Sequence, residues 1–160
     1  DPALRLEHAE YLFLLANFQQ LDGDEAGAKS NYTRCRDEME SLLREQPDNP
    51  KVMSWLAFAY AGLGDKERAL KLQEEALEKL QAANNLYERP MYEEGLAQLQ
   101  AQFGDKDRAI TTVQRLLSTN GARITPALLR LDPVWNSLRD DPRFQALTVD
   151  KAPAATLAKP

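Results

Sequence analysis

Apolar residues along the chain fall at helical spacing. In "ERALKLQEEALEKL", Ala69, Leu72, Ala76, Leu77 and Leu80 occupy positions i, i+3, i+7, i+8 and i+11, a single stripe, while Glu, Lys and Gln fill the other faces. The stripes stop at proline-containing connections, "EQPDNP" (residues 45–50) and "NNLYERP" (residues 84–90). No segment alternates apolar and polar residues as a half-buried strand would. The pattern predicts an all-α protein.

The helical stretches repeat. Gly-Asp pairs stand at Gly23-Asp24, Gly64-Asp65 and Gly104-Asp105, at spacings of 41 and 40 residues. Five residues after each glycine comes an alanine (Ala28, Ala69, Ala109), and each glycine is preceded at a fixed distance by Leu15-Ala16, Leu56-Ala57 or Leu96-Ala97. A glycine can adopt the left-handed conformation that ends a helix, and the aspartate after it can cap the next one. Each pair therefore predicts a helical hairpin, with small alanines where its two helices cross closely.

The pattern Leu-Ala-x-x-Tyr-x-x-x-Gly-Asp-x-x-x-Ala is clearest around Leu56, Ala57, Tyr60, Gly64, Ala69 and Ala76, and it resembles the tetratricopeptide repeat. The likeness spans roughly residues 9 to 118 in three units, about 9–46, 50–83 and 90–118. The outer two depart from it: Gln19 and Gln100 stand in the tyrosine's place, and Cys35 and Leu116 in that of the last small residue. The usual period is about 34 residues, so these units carry roughly two extra turns, placed most simply in each second helix and its connector. The resemblance implies a right-handed α-solenoid of three hairpins with elongated second helices and a concave face lined by the first helix of each unit.

It also implies which residues face that groove: Phe13, Leu14, Asn17 and Gln20, then Ser54, Trp55, Phe58 and Ala61, then Glu94, Gly95, Gln98 and Ala101. Such a surface binds a protein or peptide segment, and Trp55 and Phe58 are the natural anchors because aromatics dominate interface energetics. The same two residues could instead pack between adjacent repeats. A clamp for a peptide C-terminal carboxylate is not expected: Asn17 suits one place, but Phe13, Trp55, Met91 and Gly95 stand where Lys, Asn or Arg would be needed.

Near the end of the chain, "LRLDPVWNSLRDDPRFQAL" contains Asp132-Pro133 and Asp141-Pro142, each reading as an N-cap followed by proline at the first helical position. The predicted short helices present Trp135, Leu138, Phe144 and Leu147 on one side, as a cap over the open end of the stack at about residues 125–148. The alternative is a charged ligand site built on Asp132, Arg139, Asp141 and Arg143. The segment also resembles the closing segment after tetratricopeptide repeats in multidomain bacterial signalling proteins, where the repeats follow a winged-helix regulator, a nucleotide cyclase or a kinase. That implies a second role, a regulatory or sensory domain acting through a small ligand or self-association. Residues 149–160 are Ala/Pro-rich and read as a frayed tail.

Composition narrows the chemistry. A length of 160 residues suits one domain, and a net charge of −5 argues against nucleic acid as a partner. The single histidine, His8, reads as an end-of-helix residue rather than a catalytic base, and no nucleophile–His–acid set forms without it. Cys35 lies between Arg34 and Arg36, which would lower its pKa, but it aligns with Ala76 at a helix-packing position and reads as buried. No metal, phosphate or dinucleotide motif occurs. The expectation is a non-catalytic interaction module with no cofactor and no membrane span in this segment. Homo-oligomerisation stays open, as does compartment: cytoplasmic, or an extracytoplasmic part of a membrane-anchored regulator.

Overall fold

The computed structural model describes residues 1–149, so the expected tail lies, beyond Val149, outside the described residues. Among the described residues there are eight α-helices and one 3₁₀ helix, η1, and no strand. They are α1 (Pro2–Asp22), α2 (Glu25–Glu45), α3 (Pro50–Gly62), α4 (Lys66–Ala82), α5 (Arg89–Gln102), α6 (Lys106–Leu116), α7 (Pro126–Leu131), η1 (Pro133–Leu138) and α8 (Pro142–Leu147). None of these helices is long and apolar enough to cross a membrane.

The Gly-Asp pairs make the tight joints. Gly23, Gly64 and Gly104 have φ of 84°, 80° and 82°. In each case the following aspartate's N–H donates to a carbonyl five residues back, Gln19, Tyr60 or Gln100, at 2.8–2.9 Å. This is the backbone closure of a Schellman-type helix end, which needs a left-handed residue. The aspartate side chain then caps the next helix: Asp24 accepts from Gly27 N, Asp65 from Arg68 N and Asp105 from Arg108 N. Each joint thus turns the chain back on itself and pairs α1 with α2, α3 with α4, and α5 with α6.

Consecutive pairs also pack together, α2 against α3 and α4 against α5, while α1, α3 and α5 touch in succession. The alanines of the repeat sit at the crossings: Ala16, Ala57, Ala69, Ala97 and Ala109 are 0% exposed and Ala28 is 4%. Helix length departs from the expected pattern. The second helix α4 has 17 residues against 13 in α3, but α1 and α2 both have 21, and α6 has only 11 against 14 in α5. The third pair's added residues lie in a non-helical stretch after Leu116 instead, between α6 and α7.

The C-terminal segment folds back onto the last pair. Trp135, Leu138 and Phe144 are at most 1% exposed and share one apolar cluster with Ala97 and Ala101 of α5 and Ile110, Val113 and Leu116 of α6. Val134 and Leu147 pack at its edge. Asp132 and Asp141 spend their carboxylates on capping, accepting from Val134 N at 3.0 Å and Arg143 N at 2.9 Å. Arg143 also pairs with Asp141 and with Asp107 of α6, both at 2.7 Å.

Candidate peptide-binding cleft

The first helices of the pairs supply the walls of a concavity among the described residues. Their inner faces meet at Phe13, whose ring centroid lies 5.3 Å from Trp55, 5.9 Å from Phe58 and 5.8 Å from Tyr32. This tilted aromatic cluster ties α1, α2 and α3 together. Trp55 and Phe58 are only half-buried by it. Their remaining surface opens into a cleft of about 850 Å³ between α3 and α5.

Ser54, Trp55 and Phe58 form the α3 wall, and Met91, Tyr92, Glu94, Gly95 and Gln98 the α5 wall. Lys51, ion-paired to Glu10 at 2.7 Å, closes one end, and Arg123, from the stretch between α6 and α7, reaches the rim. Gly95 allows α5 to approach: a Cβ there would lie 2.9 Å from Gln73 Nε2 and 3.2 Å from Phe58 Cζ. The buried Gln73 in turn donates to the Tyr92 carbonyl at 2.9 Å, which holds α4 against the start of α5.

The electrostatics of the cleft are set by burial. Desolvation raises the Glu94 carboxyl pKa, the Asp132 charge adds to the shift and Arg123 opposes it. Its hydrogen-bonding neighbour is Gln98 at 3.5 Å. Burial pushes the Tyr92 hydroxyl up to about 12, with Glu88 adding to the shift. The cleft therefore offers apolar and aromatic surface, amide hydrogen bonds and a poorly solvated carboxyl.

The groove residues expected from sequence do not form one surface. Ser54, Trp55, Phe58, Glu94 and Gln98 line the cleft, whereas Phe13, Asn17 and Gln20 line a separate recess of about 340 Å³. Phe58 borders both. The recess is bounded on its far side by Pro133, Val134, Asn136 and Ser137 of η1, because Ser137 Oγ bonds the Ala101 carbonyl at 2.9 Å and draws η1 across the inner face of α5. Asn17 Oδ1 and Gln20 Oε1 lie 2.6 and 2.9 Å from the Tyr32 hydroxyl, so both amides serve an internal contact.

Of the other positions implied by the family likeness, Gly95 lines the cleft, Leu14 is exposed on α1, and Ala61 and Ala101 are buried. Sequence reasoning missed Tyr92, Glu10 and Arg123, and gave Met91 no role in the cleft. Met91 was legible, since 91, 94, 95 and 98 share one helical face. Arg123 was not, because its place depends on how the segment after α6 folds back.

Of the two residues weighed for catalysis, one contacts a carboxylate and the other is buried. His8 Nδ1 lies 2.8 Å from Glu38 Oε2. Cys35 is 0% exposed, and burial, then Glu38 and Glu10, push its thiol up to about 12, away from the thiolate a nucleophile needs. No protein-family model and no curated protein matches the chain.

Proposed function

We propose that the chain is a tetratricopeptide-type α-solenoid, closed at its C-terminal end by the 125–148 segment, that binds an extended segment of a protein partner in the α3–α5 cleft. The observation that carries the reading is the cleft itself. It is about 850 Å³, half-open, and lined on both walls by large apolar side chains interrupted by Ser54, Gln98 and Glu94. Met91, 46% exposed, offers a flexible thioether that adapts to different apolar anchors. Extended peptides bind such walls through side-chain pockets and amide hydrogen bonds.

Trp55 provides the readout, because the other tryptophan, Trp135, is 1% exposed and reports on the interior. Peptides selected from a random display library against the chain are expected to shift Trp55 emission and shield it from acrylamide. Ser54→Arg with Met91→Arg places bulk and charge in the cleft and is expected to weaken those peptides at least tenfold while the helical circular dichroism is unchanged. A library that yields no cleft-dependent peptide would overturn the proposal. A cleft of this size also falls within the roughly 300–1,000 Å³ range of small-molecule sites. A regulatory domain responding to a small ligand is thus the second reading, recognised by a metabolite that shields Trp55 where peptides do not.

A further inference from the structure

Helix α1 carries a second apolar face that none of the described residues covers. Leu4, Tyr11, Leu14, Leu15, Phe18 and Leu21 are each 44–72% exposed. At 100° per residue they fall within an arc of about 120°, opposite the face on which Ala9, Leu12 and Ala16 are buried. In the later pairs the corresponding face is a packing face. The residues at the places of Tyr11, Leu15 and Phe18 are Val52, Leu56 and Ala59 in α3, exposed by no more than 2% because α2 lies against them.

The spacing on α1 says what kind of surface fits it. Leu4, Tyr11 and Phe18 are seven residues apart, and Leu14 and Leu21 are again seven apart, three or four positions offset from the first set. That is the a and d seam of a helix packed side by side with another helix. We infer that α1 is a dimerisation helix, packing antiparallel against α1 of a second copy of this chain across a two-fold axis. In that register Leu4 meets Leu21 of the second copy and Tyr11 meets Leu14, with the two-fold axis passing between the levels of Leu12 and Phe13. The one charged seam residue, Glu7, then meets Phe18, whereas a parallel pair would set Glu7 against Glu7 and pay like-charge repulsion.

The seam is self-complementary, as a two-fold interface requires. Six side chains at roughly 100 Å² of exposed area apiece would remove on the order of 600 Å² per chain, near the roughly 800 Å² per partner of a standard interface. An apolar patch of that size lies at the upper end of the largest patch on a typical monomer, and such patches mark interaction sites. None of the six stripe residues lines the α3–α5 cleft, so the two surfaces are tested separately.

Sedimentation equilibrium of the 160-residue chain at about 100 µM, where a low-micromolar dimer is mostly associated, is expected to give twice the 18.0 kDa chain mass. Tyr11→Arg with Phe18→Arg is expected to give a monomer of unchanged helical circular dichroism. Under mild oxidation, Leu4→Cys with Leu21→Cys should cross-link two chains and Leu4→Cys alone should not. A native monomer, the outcome if another segment or protein covers the stripe, overturns the inference. So does a dimer that survives the double arginine substitution, or cross-linking through Leu4→Cys alone.

Discussion

Gly62 shows how a single missing methyl group sets a helix contact. It lies at the end of α3, and a Cβ there would stand 2.5 Å from Cε1 and 2.6 Å from Cδ1 of the Tyr32 ring on α2. That ring is 3% exposed, touches Phe13 and has its hydroxyl held between Asn17 and Gln20, so it has nowhere to go. Alanine would gain up to about 1 kcal/mol of helix propensity, but overpacking a fixed ring costs about 1–3 kcal/mol. The overlap wins, and Gly62→Ala is expected to lower the urea midpoint by an amount equivalent to about 1 kcal/mol; a raised midpoint would mean the ring yields. Gly95 is the milder case, because the closest atom to its added Cβ is the amide nitrogen at the end of Gln73. That amide is itself buried and donates to the Tyr92 carbonyl, so a methyl group there disturbs the α4–α5 contact as well as the cleft wall.

At the scale of elements, the C-terminal segment separates apolar from charged contributions. Trp135 and Phe144, with ring centroids 6.2 Å apart, fill the space over α5 and α6. Around them Arg143 links Asp141 and Asp107 on the surface and holds the Asp141 carboxyl down to about 2. A surface pair is screened by water and salt, whereas truncating a buried tryptophan leaves a cavity and costs about 3–5 kcal/mol. Trp135→Ala is therefore expected to unfold the α5–α8 end well before the rest, seen as loss of amide protection in α6 and α7, whereas Arg143→Ala leaves the thermal midpoint nearly unchanged. Equal effects of the two substitutions would show that the charges, not the rings, hold the segment in place. The open end of the α5–α6 hairpin differs: Glu93, 7% exposed, bridges Arg89 at 2.9 Å and Arg115 at 2.8 Å. Little of its side chain meets water, so this carboxylate relies on both partners.

At the scale of the molecule, local signals were legible in sequence and the closing of the chain on itself was not. The Gly-Asp joints, the alanine crossings and the Asp-Pro helix starts each depend on a few adjacent residues, and they appear where the sequence puts them. The groove residues were harder, because their spacing on each first helix says nothing of Tyr32 reaching in from α2 to occupy Asn17 and Gln20, or of η1 crossing α5. Nor did the repeat spacing reveal the exposed stripe on α1, because the spacing marks which positions are apolar and not what lies against them. One property belongs to the whole chain through groups on two of its pairs. Tyr32 and Cys35 on α2 and Tyr92 on α5 are all buried, and burial holds each protonated up to about 12, against ordinary values of 10.0 for the tyrosines and 9.0 for the thiol. Above about pH 9 the unfolded chain gives up protons that the folded chain keeps, so stability falls as pH rises, with a limiting slope of about 1.4 kcal/mol per pH unit for each group fully ionised only when unfolded. Cys35 starts this decline, since its unfolded value is the lowest of the three. Cys35→Ala, which restores the small residue found at Ala76 in the next pair, is expected to hold its urea midpoint to a pH nearer 10 before falling, while the parent chain begins to lose stability near pH 9. Parallel curves for the two chains between pH 8 and 11 would mean that the thiol ionises in the folded protein as readily as in the unfolded one.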